Sequence, residues 1–269
     1  DPNINFNIDG KANLNDTFPS AQIVGQINNL NLYALNLLPY PLKAQMNLDA
    51  DIKGYKVDDI LGYAQIKDIV LENDSIKWSA DSIDFKAEIL DNKKRQLSLT
   101  SPFINATLLG QFNASEIPTV FAKFGDQYFP FSSFIGGEEV DDAVSDAATD
   151  SIRQDYINVE IGIKDPTELA QLFNIDLRQL DTASLSFTLD APENLSDLKF
   201  DLPNLQYGDI EVHQMKMTGD NKGNQLKTQL RIDSIRVSES MSIPSIKIDA
   251  KLSENKTSFS AKIVEDSTN

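Results

Sequence analysis

The sequence predicts a mainly β protein, built as a long, curved, antiparallel sheet that meanders along the chain and is capped by two short α-helices. Three observations support this fold class. Apolar and polar residues alternate with period two through most of the 269 residues, which is typical of strands with one apolar and one solvated face. Short turns rich in Gly, Asn and Asp join the alternating segments. Only two segments show helical spacing.

The predicted strands place apolar residues at every second position. In chain order the clearest sets are Ile4/Phe6/Ile8, Met46/Leu48/Ala50/Ile52, Ile76/Trp78/Ala80, Ile83/Phe85/Ala87/Ile89, Val159/Ile161/Ile163, Leu185/Phe187/Leu189, Ile210/Val212, Met215/Met217, Leu226/Leu230/Ile232, Ile246/Ile248/Ala250/Leu252 and Phe259/Ala261/Ile263. Between Ala80 and Ile83 the alternation slips by one residue, which indicates a turn or a bulge. The sequence therefore predicts more than ten strands.

Two short helices interrupt the strands, at about 115–129 and about 165–174. In the second, Asp165 is the predicted N-cap, Pro166 occupies the first helical position and Glu168 completes a capping box. Each predicted helix follows a strand and has one apolar face. We therefore expect both helices to cover open ends of the sheet.

The chain divides into two predicted β-repeat units. Residues 25–32 resemble 64–71 at an offset of 39, and 71–78 resemble 205–212 at an offset of 134, which suggests internal repetition. Between the halves, the segment 136–152 holds six acidic residues and no basic one. The predicted organisation is a first unit at 1–135, an acidic flexible linker at 136–152 and a second unit at 153–269.

The composition excludes several classes of protein. The chain has 24 Lys+Arg against 41 Asp+Glu, a net charge of −17, which excludes the basic footprint that nucleic-acid binding needs. No apolar stretch approaches the roughly 18 residues of a membrane-spanning helix. With no cysteine there are no disulfides, thiolate metal sites or cysteine nucleophiles. The chain begins Asp1-Pro2 rather than with Met, so we expect any membrane anchor to lie outside it.

The sequence contains little that would support catalysis. A Ser-His-Asp triad needs a histidine base, and the one histidine, His213, follows Val212 on a strand as an ordinary polar side chain. The acidic run 138–150 lacks the calcium-loop pattern, and no Gly-rich phosphate loop is present. A carboxylate pair of the glycosidase kind stays open in so acidic a chain. We expect a non-enzymatic protein with no cofactor and no metal.

The apolar side of the predicted sheet is the remaining candidate site. Two short helices supply too few apolar residues to cover more than ten strands, so the sheet either folds over as a sandwich or keeps an open groove. The residues we expect to line such a groove are Ile66, Ile76, Trp78, Ile83, Phe85, Ile210, Val212, Met215 and Met217. For each of them, packing in a closed core is the alternative.

Several segments resemble repeats of the AsmA-like/TamB family of bacterial envelope proteins, in the style of its Bacteroidetes members. They are LNLYALNLLPYPL at 30–42, MNLDADIKG at 46–54, LGYAQI at 61–66 and ATLLGQF at 106–112. These are diffuse strand-Gly-strand patterns without a catalytic signature. They recur over most of 1–130, and 157–264 is compatible with them.

The resemblance implies an internal periplasmic segment, anchored to the inner membrane by a region outside this chain. Its strands would form a trough whose apolar interior holds lipid acyl chains, for phospholipid transport or outer-membrane assembly. The implied partners are phospholipid or another lipid and, through regions outside this chain, an outer-membrane barrel protein. The alternative is an extracellular β-sandwich module that binds protein or glycan, and this alternative requires a closed core.

Overall fold

In the computed structural model, the protein is described at residues 1–14, 18–90, 93–117, 119, 156–190, 193, 195–221, 225–238, 240–253 and 256–264. The strands are β1 (Ile4–Asn13), β2 (Ser20–Asn31), β3 (Lys43–Lys53), β4 (Leu61–Glu72), β5 (Lys77–Ile89), β6 (Arg95–Thr100), β7 (Ile104–Gln111), β8 (Tyr156–Ile163), β9 (Leu177–Leu180), β10 (Ala183–Asp190), β11 (Leu195–Tyr207), β12 (Ile210–Asn221), β13 (Gln225–Ile232), β14 (Ser234–Ser238), β15 (Met241–Ile243), β16 (Ser245–Ser253) and β17 (Lys256–Val264). A 3-10 turn spans Ala114–Glu116, and the helix α1 spans Thr167–Leu172.

These 17 strands form a single sheet, and every pairing in it is antiparallel. From β1 to β8 each strand pairs with the next along the chain, and the sheet then continues through β10, β11, β12, β13, β16 and β17. β9 pairs with the last residues of β11, beyond those that pair with β10. β14 pairs with β12 and with β15. The predicted meander is confirmed.

The sheet is open rather than closed. Within the described residues β1 pairs only with β2, and β17 pairs only with β16, so these two strands are the edges. The free edges exclude a closed barrel, while a single antiparallel sheet is compatible with both arrangements that the sequence left open. β7 pairs directly with β8, so the sheet runs without a break from the first predicted unit into the second.

The cross-strand register aligns one residue from each of 14 of the 17 strands, all but β9, β14 and β15, in a row that crosses the sheet. We call this the central row, and the face that carries it the apolar face; the opposite side is the polar face. The central row consists of Gly10, Ile23, Ala50, Ala64, Phe85, Leu99, Ala106, Ile161, Leu185, Phe200, Met217, Leu230, Ile248 and Ala261.

The predicted slip between Ala80 and Ile83 is an irregularity inside one continuous strand, not a turn, because β5 runs unbroken through it. On the paired strand β4, Asp68 adopts a left-handed φ of 51°, a conformation that Asp tolerates better than most residues. Ile66 and Ile69, three residues apart, consequently both pack in the same apolar cluster. The irregularity keeps the apolar side chains of β4 and β5 on one face.

The two predicted repeats have counterparts in the strand geometry. The offset of 134 relates the β4–β5 hairpin to the β11–β12 hairpin, and in β12 the residue Gln214 likewise adopts a left-handed φ, of 52°. The offset of 39 relates β2 to β4, and both strands shift register against β3. By the offset of 134, Gln214 on β12 corresponds to Ala80 on β5 rather than to Asp68 on β4. Equivalent irregularities are therefore related by the offset of 39 alone.

The helix α1 lies within the range predicted for the second helix. The carboxylate of Asp165 accepts hydrogen bonds from the backbone N–H and the hydroxyl of Thr167, at 2.9 and 2.6 Å, while Pro166 occupies the N-cap position itself. Of the first predicted helix, the 3-10 turn and residues 117 and 119 are described; the rest of 115–129 lies outside the described residues. So does the predicted linker 136–152.

The buried core consists of two separate clusters near opposite ends of the strands. The first joins the segment before β3 with β4, β5 and α1 through Leu42, Ile69, Trp78, Ala80 and Leu172. The second joins β8 and β10 through Ile157, Phe187 and Leu189. Because these clusters leave the middle of the strands uncovered, the stretch between them is the candidate functional site.

Candidate functional site

The central row is only half-buried. From Ala50 on β3 to Ile248 on β16, every residue of the row keeps an intermediate exposure. At a strand spacing of about 4.8 Å, this part of the row extends over roughly 50 Å. A closed two-layer core would have buried these side chains. In the described part of the chain, the protein therefore presents a continuous apolar strip.

Apolar residues two positions away along each strand widen the strip. On one side a run of paired residues crosses six adjacent strands: Ala87, Leu97, Leu108, Val159, Phe187 and Leu198. Four of these residues are half-buried and extend the strip, whereas Ala87 and Phe187 are buried and form its border with the core. On the other side Leu48 pairs with Ile66 and Ile66 with Ile83. The strip is therefore up to three residues wide, which is larger than isolated surface apolar residues would produce.

A depression of about 370 Å³ lies in the strip over β5 to β8. Its lining includes Phe85, Leu97, Leu99, Ala106, Leu108 and Ile161, together with Ile117 beyond the 3-10 turn. No charged side chain belongs to this lining. Its size falls within the range of ligand pockets, about 300 to 1,000 Å³. Its chemistry suits an apolar ligand that makes no specific polar contact.

Along the strand direction, one side of the strip is covered by α1 and by the segment between β2 and β3. Leu172 of α1 is fully buried, and Leu42 is 1% exposed. Both pack with Trp78, whose ring centroid lies 6.3 Å from that of Phe103. This end is a dry core and provides no lipid-accessible surface.

On the opposite side of the strip lies Arg95, the buried first residue of β6, which binds a neighbouring loop. Its guanidinium donates hydrogen bonds to the carbonyl oxygens of Val57, at 2.9 Å, of Ile60, at 2.8 Å, and of Asp58. These three residues belong to the loop between β3 and β4. A single cation therefore holds that loop against the apolar face.

The same loop is tied to the chain that follows β7. The carboxylate of Asp58 accepts hydrogen bonds from the hydroxyl of Ser115, at 2.5 Å, and from its backbone N–H, at 2.9 Å. These bonds, the hydroxyl one first, hold the pKa of Asp58 below its usual value, and the charge of Arg95 acts in the same direction. The loop thus bridges β6 and the 3-10 turn.

Three of the nine predicted lining residues lie in the open part of the strip, and two more, Ile66 and Ile83, lie at its border, where they pack against the first core cluster. Phe85 and Met217 are members of the central row, and Phe85 lines the depression. Ile66 and Ile83 pair with each other in the neighbouring row. Met215 pairs with Leu202, two positions from Met217. All five are half-buried.

The other four predicted lining residues lie elsewhere. Trp78 is only 9% exposed and belongs to the first core cluster, against which Ile76 also packs. Val212 is buried, and Ile210 is 43% exposed beside the β11–β12 turn. We therefore retain the core alternative for Trp78 and Ile76, and take both out of the candidate site.

The sequence analysis missed several central-row residues as candidates for the lining. Leu99, Ile161, Leu185 and Phe200 stand in the middle of the row, and all four lie in alternating segments. The period-two pattern identifies their face but not their cross-strand neighbours. Those neighbours depend on register, which a single sequence does not show.

On the polar face, the one histidine is held by neighbouring polar side chains. His213 Nδ1 lies 2.8 Å from Oδ1 of Asn204, and its Nε2 lies 3.6 Å from Glu211, which also binds Arg236 at 2.6 Å. In the same residues, no group of three or more potential ligands is close enough to hold a metal ion. None of the described helices is both long and apolar enough to cross a bilayer.

Comparisons with known proteins identify no relative: no protein-family model, no curated protein and no solved structure matches this chain. The similarity to the AsmA-like/TamB family accordingly stays a hypothesis that rests on sequence patterns. The functional conclusion must be drawn from the geometry of the apolar face.

Proposed function

We propose that this chain is a non-enzymatic lipid-binding segment whose apolar face holds phospholipid acyl chains. The observation that carries this proposal is the half-buried central row, which continues across the sheet from β3 to β16. A contiguous apolar surface of this size is unfavourable in water unless a ligand or partner covers it.

The energetics favour acyl chains as the ligand. Each methylene group withheld from water contributes about 0.8 kcal/mol, so ten buried methylenes contribute about 8 kcal/mol before the cost of ordering the chain. This binding requires no specific polar group, in agreement with the uncharged lining of the depression. The head groups would remain hydrated outside the strip.

The continuity of the strip supports movement of lipid as well as binding. The central row contains small residues such as Ala64 and Ala106 and large ones such as Phe85 and Leu99, and no charged residue. A lipid that moves between neighbouring strands would therefore cross no charged barrier within the row. The resulting function is phospholipid transport or outer-membrane assembly.

The setting of this function follows from the family resemblance alone. It comprises a periplasmic location, an inner-membrane anchor outside this chain and an outer-membrane barrel partner that contacts other regions. The alternative function, a sandwich module for protein or glycan, required a closed core. The half-buried central row supports the groove over that alternative.

A matched pair of substitutions on β10 tests the proposal. Leu185→Glu places a carboxylate in the central row, and Ser186→Glu places the same group on the polar face, between Glu160 and Lys199. We expect the unmodified protein and Ser186→Glu to copurify with phospholipid, and Leu185→Glu to lose most of it. Native mass spectrometry after gentle purification provides the measurement.

The fold of each variant is checked by circular dichroism. In an open strip the new carboxylate of Leu185→Glu stays hydrated, so the strand signal should be unchanged. Unfolding of this variant alone would show that the row is a closed core. Equal lipid content in the two variants, or no lipid on the unmodified protein, would also contradict the proposal.

A further inference from the structure

Arg95 is a buried cation that lacks a carboxylate partner. The residue is 7% exposed, and among the described residues no carboxylate forms an ion pair with its guanidinium. The carboxylate of Asp58 accepts its hydrogen bonds from Ser115 instead. Because a buried charge without an opposite charge in contact is costly, this position favours an additional anion.

One nitrogen of the same guanidinium is also without a hydrogen-bond partner. Nη1 and Nη2 donate to carbonyl oxygens of the β3–β4 loop. Nε is buried and has no partner in the described part of the chain, although its N–H is a donor. A buried donor that stays unsatisfied destabilises the free protein. An acceptor that reached Nε would remove this cost.

Arg95 borders the apolar depression over β5 to β8. It lies on the same face as Leu97, two positions further along β6 and therefore about 7 Å away between Cα atoms, and Leu97 lines the depression. Since Nη1 and Nη2 face the loop, Nε, which joins the guanidinium to the rest of the side chain, is the donor nearer to β6. An acyl chain in the depression thus brings one of its ends next to Arg95.

A second set of contacts connects Arg95 to the lining of the depression. The guanidinium binds the carbonyl oxygen of Asp58, and the carboxylate of Asp58 binds Ser115. Two residues later, Ile117 belongs to the lining. The cation is therefore connected to the apolar site both along β6 and through the 3-10 turn.

We propose that the depression binds an acyl lipid with an anionic head group, a carboxylate or a phosphate ester, and that Arg95 pairs with this group. The inference rests on the proposed function and adds to it a selection among lipids. The apolar lining holds the acyl chain. The guanidinium offers donors in a fixed planar arrangement that matches the oxygens of a carboxylate or phosphate. A neutral head group would leave the charge of Arg95 uncompensated.

The overall charge of the protein makes this preference specific to a local cation. The chain has a net charge of −17, which by itself opposes binding of an anion. The described lining of the depression holds no charged side chain. A preference for anionic ligands at this site would therefore have to come from a cation at its border, and Arg95 is the buried cation there.

The first experiment compares ligands that share one alkyl chain and differ in the head group. Laurate, dodecyl phosphate and dodecanol are titrated below their micellar concentrations into the delipidated whole chain, and displacement of a bound apolar dye gives each dissociation constant. We expect the anions to bind roughly 10- to 100-fold more tightly than dodecanol, because a hydrogen bond to a charged group strengthens binding by this order. The tighter of the two anions identifies the head group as carboxylate or phosphate.

Arg95→Met and Lys94→Met form a matched pair for this comparison. Each variant loses one positive charge, and Lys94 is the preceding residue, whose ammonium lies 4.8 Å from the centroid of the Tyr156 ring. We expect Lys94→Met to keep the preference for anions, and Arg95→Met to bind all three ligands with similar affinity. Because the preference is a ratio of affinities within one variant, a moderate loss of stability does not change it.

A cationic ligand provides a test that does not depend on the folding of Arg95→Met. Attraction to the acidic protein as a whole favours dodecyltrimethylammonium over the two anions, whereas Arg95 favours the anions. We expect the anions to bind more tightly than this cation on the unmodified chain and on Lys94→Met. Equal or tighter binding of the cation would overturn the inference.

The remaining outcomes separate this inference from the proposed function. Equal affinities of dodecanol and both anions would remove the inference and leave the proposed function standing. A preference for anions that persists in folded Arg95→Met would also remove it. Failure of every ligand, dodecanol included, to displace the dye would contradict the proposed function and, with it, this inference.

Discussion

At the scale of single residues, Arg95 shows how one buried polar group determines the form of the apolar face. Its guanidinium satisfies backbone carbonyls of the β3–β4 loop that would otherwise lack partners. The cation also lies on the same face as Leu97 and Leu99, two and four positions further along β6. It therefore marks the limit of the strip in the direction of that loop.

Arg95→Met keeps much of the side-chain volume but removes every hydrogen bond to the loop. We expect a loss of about 2 to 3 kcal/mol in unfolding free energy, because the charge-assisted hydrogen bonds from the buried guanidinium to the loop are lost. Urea denaturation measures this loss. The control is Arg178→Met, since Arg178 is half-exposed and pairs with Asp176 on the surface, where such pairs contribute at most about 1 kcal/mol. Similar losses in the two variants would show that Arg95 does not anchor the loop.

Single residues also mark the limit of prediction from sequence. The slip after Ala80 was visible as a break in alternation, but Asp68, which adopts the left-handed conformation beside it, carries no distinguishing signal in its own segment. From the sequence, Arg95 is likewise indistinguishable from an ordinary cation at the end of a strand. Its role depends on carbonyl groups 35 or more positions away in the chain, and a local pattern contains no information about such contacts.

At the scale of elements, α1 closes one end of the apolar face with very few residues. It spans only Thr167–Leu172, too short to be stable alone, so tertiary packing must hold it. Leu172 supplies this packing by inserting among Leu42, Ile69 and Trp78. The helix was predicted from Asp165, Pro166 and the apolar spacing, whereas its docking site on β4 and β5 was not.

Leu172→Ala should open this end of the sheet. A fully buried Leu truncated to Ala costs about 2 to 5 kcal/mol through lost burial and the cavity that remains. Because Trp78 is the one tryptophan of the chain, its fluorescence should shift to the red and become accessible to acrylamide. Leu37→Ala serves as the control, since Leu37 is 62% exposed. Unchanged emission in Leu172→Ala would show that α1 does not shield Trp78.

The strands themselves follow from alternation alone, and the sequence analysis located most of them. Period two determines which side chains share a face, and short Asn- and Gly-rich turns favour a meander over crossovers. Alternation and turn composition do not predict that the sheet stays open. Whether β17 meets β1 or remains free depends on twist and register summed over the sheet, and no segment of the sequence encodes that sum.

At the scale of the whole molecule, the residues that form the buried core are different from those of the candidate site. The two core clusters lie near the strand ends, while the central row contributes a long and only half-buried strip between them. A ligand on this strip should therefore add to the stability of the fold rather than compete with its packing. The gain depends on ligand concentration, because the ligand binds the folded state alone.

This coupling is measurable on delipidated protein. Lysophosphatidylcholine below its micellar concentration should raise the unfolding midpoint, since a ligand at 100 times its dissociation constant adds about 2.7 kcal/mol, or roughly 5 to 10 °C for a chain of this size. This zwitterionic lipid carries no net charge, so charge attraction does not contribute to its binding. Glycerophosphocholine, which has the head group without an acyl chain, should have no effect. Leu185→Glu should lose the shift while Ser186→Glu retains it. An equal shift with glycerophosphocholine would mean that the head group, rather than the apolar strip, binds the ligand.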